Sequence, residues 1–60
     1  MKIKVFDVVK LKNGDKATII GIKNNCYKVA IVDSRGIAKG QKDIIEHDIV
    51  DIIYTKESFN

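Results

Sequence analysis

Apolar and polar residues alternate with a period of two along most of this chain, most clearly at its centre. Tyr27, Val29 and Ile31 alternate with Cys26, Lys28, Ala30 and Val32; the odd set is the better core face because the even set carries Lys28. The preceding run, residues 17–22, is equally β-branched but less regular. Ala17 and Ile19 share a face, yet Ile20 and Ile22 are apolar too. Two readings fit. Gly21 marks a bulge that turns Ala17, Ile19 and Ile22 all inward, or both faces are partly covered. Lys23, Asn24 and Asn25 separate the runs, and Asn tolerates the left-handed backbone of a tight hairpin. Ile, Val and Thr pack well on a pleated surface and lose rotamer freedom in a helix. Neither run contains Pro, so no ladder donor is missing.

The same alternation extends outward. Residues 1–5 set Lys2 and Lys4 against Ile3 and Val5, the pattern of a short strand with one wet face. Phe6 and Asp7 interrupt it; residues 8–12 resume it, with Val9 and Leu11 inward and Lys10 and Lys12 outward. Asn13-Gly14 is a strong hairpin signal because both residues accept positive φ. Residues 8–32 therefore read as a three-stranded meander. Asp33-Ser34-Arg35-Gly36 suits a type I turn, with Asp first and Gly fourth. Residues 37–42 follow as an exposed edge strand or loop, with Lys39 and Lys42 guarding it against edge pairing.

The segment 43–54 admits two structures. As a helix, Asp43 and Glu46 make a D-x-x-E box, and Ile45, Ile49, Ile52 and Ile53 line one face. As β structure, Ile44 and Ile45 end one strand, Glu46-His47-Asp48 is a single tight turn, and residues 49–54 form a closing strand. The β reading is preferred. The β-branched density lowers helix propensity, and a final strand covers an edge that a four-stranded meander leaves open. The polar tail 55–60 is expected to fray, which leaves residues 1–54 as one domain.

Length limits what such a fold can do. Sixty residues make one small domain with a stability margin on the order of 3–5 kcal/mol. The 45% apolar content suffices for a core. Cys26 is the only cysteine, so no internal disulfide forms; it is expected to be a buried hydrophobe, and the compartment to be reducing and cytoplasmic. No apolar run has the length of a membrane span, and the N-terminus alternates where a signal peptide would be uniformly apolar. Charge is lopsided. Residues 1–30 hold seven Lys against Asp7 and Asp15, whereas residues 31–60 hold Arg35, Lys39, Lys42 and Lys56 against six acids.

These features together resemble one fold family. The stretch DVVKLKNGDKATIIGI, a hairpin, YKVAIVD, a Gly-containing loop and IIEHDIVDII are similar to small bacterial SH3-like β-barrels of the KOW- and Tudor-like sort. The Asn13-Gly14 turn, the Ala17-Thr18-Ile19 run and the Glu46-His47-Asp48-Ile49 turn carry the likeness, over residues 7–54. The resemblance implies an all-β, five-stranded, strongly bent sheet with one helical turn before the last strand. The alternative architecture is a β-meander plus a C-terminal helix. The chain has no Trp, so the paired-Trp groove by which eukaryotic SH3 domains grip Pro-rich ligands does not carry over.

Candidate chemistry is sparse. Ser34, His47 and Asp48 lack the context of a nucleophile–base pair, and one His among carboxylates is poor spacing for zinc. GIAKGQK, residues 36–42, misses the G-x-x-x-x-G-K-[ST] spacing of a phosphate loop. No catalytic residue, metal or cofactor is assigned. Lys10, Lys12 and Lys28 are expected to share an outer sheet face, with Lys16 and Lys23 near the turns and Arg35, Lys39 and Lys42 on the next loop. Phe6 and Tyr27 are expected in the core. The leading expectation is a non-enzymatic module that binds a protein partner, as a monomer or as a homodimer paired through the 37–42 edge. The alternative is weak, salt-sensitive nucleic-acid binding by Lys10, Lys12, Lys28, Arg35, Lys39 and Lys42.

Overall fold

The computed structural model describes residues 2–55. Five antiparallel strands form one sheet: β1 (Val8–Leu11), β2 (Lys16–Lys23), β3 (Cys26–Val32), β4 (Ala38–Ile44) and β5 (Ile49–Tyr54). Their spatial order is β4-β3-β2-β1-β5, so β4 and β5 are the two edges. A 3-10 turn, Glu46–Asp48, joins them. The C-terminal helix is thereby excluded. Asp48 closes the turn reciprocally: its Oδ2 accepts from the Ile45 amide at 3.1 Å and its own amide donates to the Ile45 carbonyl at 2.9 Å. That local bond competes with helix, as short acidic side chains do.

Two of the hairpins use one device. The Gly14 amide donates to the Leu11 carbonyl and the Leu11 amide to that of Asp15; Gly36, Asp33 and Ile37 repeat the arrangement. Gly14 and Gly36 have φ of +95° and +87°, the left-handed position after a type I turn. Asn13 is not left-handed; its Oδ1 accepts from the Asp15 amide at 2.9 Å instead. In the β2–β3 turn Asn24 alone takes positive φ.

The core lies on one face of the sheet: Val9, Leu11, Ala17, Ile19, Val29, Ile31, Ile44 and Ile49. Cross-strand register explains the set, since Val9 pairs with Ala17, Ala17 with Ile31 and Ile19 with Val29. Both readings of residues 17–22 hold in part. The register shifts between Ile19 and Gly21, which places Ile22 opposite Tyr27 on the core side. Ile22 is nonetheless exposed, because it lies at the open end of the sheet. Val8, Thr18 and Ala30 on the outer face are half-buried.

Three expectations are corrected. Residues 2–7 form no strand; they turn back at Val5 and Phe6, with the Asp7 amide donating to the Lys4 carbonyl at 3.1 Å. Cys26 is exposed, because it starts β3 beside the Asn turn, one position beyond the last pairing of β3 with β4. Phe6 is exposed as well, whereas Tyr27, half-buried, packs against the core as expected. Of the expected tail, residues 56–60 lie outside the described residues, whereas Thr55 donates its hydroxyl to Asp7 Oδ1 at 2.6 Å.

Candidate functional site

The lysines are dispersed rather than gathered. Lys10 lies on the outer face directly opposite Lys16, with Asp51 on its other side. Lys28 is on the same face but farther along, between Gly21 and Asp43. Lys12 is in the β1–β2 turn, where its amide donates to the Asp48 carbonyl at 3.1 Å. Lys42 belongs to the opposite face, because it pairs with core residue Val29; it remains exposed at the sheet edge. It shares a depression of about 170 Å³ with Leu11, Lys12, Asn13, Ile44 and Asp48. Lys39 and Arg35 are committed to ion pairs, with Asp15 at 3.0 Å and Asp33 at 3.1 Å.

Among the described residues the exposed large apolar side chains are spread from Val5 to Tyr54, and three of them, Val50, Ile53 and Tyr54, share one strand, β5. The register shifts twice along β1 and β5. Ile49 pairs with Leu11, Asp51 with Lys10, Ile52 with Val9 and Tyr54 with Val8, which leaves Val50 and Ile53 as the extra residues of two bulges. The strand thus repeats in threes: Ile49 and Ile52 turn toward the core, Asp51 and Tyr54 outward, and the surplus Val50 and Ile53 are 51% and 46% exposed. A bulge residue has no partner across the ladder, so its side chain is free to leave the sheet. The sequence did carry a signal for this. Two adjacent apolar pairs, Ile49-Val50 and Ile52-Ile53, cannot all face one side of a regular strand.

A second apolar element adjoins the end of β5. Phe6 has φ of 79°, a conformation that costs a side-chain-bearing residue about 1–2 kcal/mol. Its amide donates to the Ile19 carbonyl at 2.7 Å, and the Ile19 amide donates to the Asp7 carbonyl at 2.9 Å, so Phe6 and Asp7 together oppose one residue of β2. Asp7 fixes this geometry. It is buried, its Oδ2 accepts from the Lys4 amide at 2.9 Å, and its Oδ1 accepts from Thr55. The bond between Asp7 and Thr55 brings Phe6 and Tyr54, each 58% exposed, to within one residue of the same junction. Sequence reasoning missed this because nothing local marks Asp7 as an acceptor for a residue at the other end of the chain.

Ser34 and His47 fall at opposite ends of β4, whose seven residues span on the order of 20 Å. Among the described residues, no group of three His, Cys, Asp or Glu side chains is placed to hold a metal ion, and no helix is long and apolar enough to cross a membrane. Comparison of the chain with protein-family models, with curated proteins and with solved structures finds no match.

Proposed function

We propose that this chain is a non-enzymatic interaction module that docks a protein partner along its β5 edge. In this reading the sheet bends into a small SH3-like barrel. Three observations support the curl: Ile44 and Ile49, from the two edge strands, join one core; Lys39 of β4 bonds Asp15 of the β1–β2 turn; and Leu11, Lys42 and Ile44 line one depression. The observation that carries the docking reading is the pair of apolar bulge residues, Val50 and Ile53, held exposed on an edge strand. Solvent offers no gain for apolar side chains placed there, whereas a partner that covers them gains about 25 cal/mol per Å² of apolar area removed from water. Phe6 adds an aromatic anchor of the kind that dominates interface energetics.

Site-specific photocrosslinking in the native host tests the reading. A photoreactive phenylalanine analogue replacing Ile53 should capture a discrete protein, and the same analogue replacing Lys39 should not. Equal labelling at the two positions, or none at either, would refute it.

A second reading, weak nucleic-acid binding, is favoured by one observation: Lys10 and Lys16 are directly opposed, and like charges in that relation repel. A bound phosphate would relieve the repulsion. Absence of any gel shift with DNA or RNA at about 50 mM salt would discard it.

A further inference from the structure

We infer that the hydrogen bond between Asp7 and Thr55 is a latch: it holds residues 4–7 closed and so presents Phe6 beside the end of β5, with Thr55 as the positioning residue. The inference rests on the docking reading above for what Phe6 meets, and adds the device that keeps Phe6 in place. Asp7 is 1% exposed, and its Oδ1 accepts from the Thr55 hydroxyl at 2.6 Å. Its Oδ2 accepts from the Lys4 amide at 2.9 Å and its own amide donates to the Lys4 carbonyl at 3.1 Å, so residues 4–7 close on themselves. Phe6 sits inside that closure with φ of 79°.

Two costs meet there, and one motion relieves both. A residue with a side chain keeps a left-handed backbone only where its surroundings over-determine it. A carboxylate oxygen out of reach of water is stable only while a donor faces it. Removing the Thr55 hydroxyl takes that donor from Oδ1. Swinging Asp7 out to water then restores its hydration and lets Phe6 return to negative φ. The motion gives up two backbone bonds with Ile19, one donated by the Phe6 amide at 2.7 Å and one accepted by the Asp7 carbonyl at 2.9 Å. Ile3 packs against the core, which confines the opening to residues 4–7. Thr55 is exposed and follows directly on β5, so Phe6 is presented only when the end of β5 is in place. The coupling is reciprocal: a partner that holds Phe6 also steadies the end of β5.

NMR of the full chain, without any partner, tests the latch through amide exchange and through the couplings that report φ. In the parent chain the Phe6 amide should be protected at least about tenfold and φ should be positive. In Thr55→Val the Phe6 amide should exchange within about threefold of the rate of an unfolded chain, with φ negative, while the Val29 amide in β3 stays protected at least about a hundredfold. Thr55→Ser, which keeps the hydroxyl, should behave as the parent. A Thr55→Val chain that keeps Phe6 protected at positive φ overturns the latch. So does one in which Val29 also loses protection, since Thr55 then supports the whole fold, and so does a Thr55→Ser chain that opens as Thr55→Val does. A photoreactive phenylalanine analogue replacing Phe6 tests the presentation: capture of a protein in the native host should fall at least about fivefold in Thr55→Val. Undiminished capture, or none with the parent sequence, overturns the presentation of Phe6, while crosslinking at position 53 decides the docking reading independently.

Discussion

At the β4 edge the residue left over by the bulge is Lys39, whose ammonium lies 3.0 Å from Asp15; at the β5 edge the left-over residues are Val50 and Ile53, and both face water. Both strands meet the same hazard, a row of unpaired backbone groups open to any passing strand. Both interrupt that row with bulges. On β4 the interruption is reinforced by charge, because Lys42 also occupies the core-facing row opposite Val29, where an apolar residue would otherwise invite a partner. On β5 the interruption displays apolar surface. A bulge can protect or recruit according to the residue it displaces, and the contrast supports the proposal that β5 is the contact edge. The proposed contact edge thus differs from residues 37–42, the pairing edge expected of a homodimer.

The largest effect on this contrast should come from Asp7→Ala. The substitution leaves the Lys4 amide and the Thr55 hydroxyl without their acceptor and should cost about 2–4 kcal/mol, most of the margin expected for a domain of this size. Urea denaturation measures it. Amide exchange should show the end of β5 opening more readily than in the parent chain, since the Thr55 hydroxyl loses its tether to Asp7. An Asp7→Ala protein within about 0.5 kcal/mol of the parent would show that the buried carboxylate does not hold the β5 end.

Converting one edge into the other comes next. Lys39→Ile with Lys42→Val gives β4 an apolar edge and should add concentration-dependent association that the parent chain lacks, detectable by light scattering. The stability change itself should stay small, because the Lys39–Asp15 pair is solvent-accessible and worth less than about 1 kcal/mol. A variant that associates no more than the parent chain at millimolar concentration would mean that charge does not guard the β4 edge.

A smaller change of opposite sign is expected for Phe6→Gly. Glycine adopts φ of 79° without penalty, so the variant should be more stable by about 1 kcal/mol while losing crosslinking at position 53. Destabilisation instead would show that Phe6 serves packing rather than contact.

The smallest effect concerns the turn that leads into β4. Hydrogen bonding from the Ile37 amide, with further contributions from the Arg35 amide and guanidinium, holds the Asp33 carboxyl below its ordinary 3.8. A folded-state value below the unfolded one means that the stabilisation is present above about pH 4 and is lost as pH falls through the lower, folded value. Melting temperatures between about pH 5 and 2 should decline less steeply for Asp33→Asn than for the parent chain.

How much was legible follows from the range of each interaction. Turns announced themselves, because Asn13-Gly14 and Asp33-Ser34-Arg35-Gly36 satisfy their own hydrogen bonds within five residues. The Glu46-His47-Asp48 turn was readable for the same reason, once β-branching had argued against a helix. The candidate site was less legible. The basic residues were found singly but not as a face, since which of them meet depends on twist and on two acids, Asp15 and Asp33, that claim Lys39 and Arg35.

Sequence alone determined the three central strands, the turns that join them and the inward row from Val9 to Ile31, because side-chain direction in a strand alternates by local geometry whatever the neighbours are. Tertiary structure decided what locality cannot reach: that Asp7 would bind Thr55, that Phe6 would be held out in solvent, and that the surplus residues of β5 would be Val50 and Ile53. Each of these depends on which distant backbone lies alongside, and a period of two does not encode that.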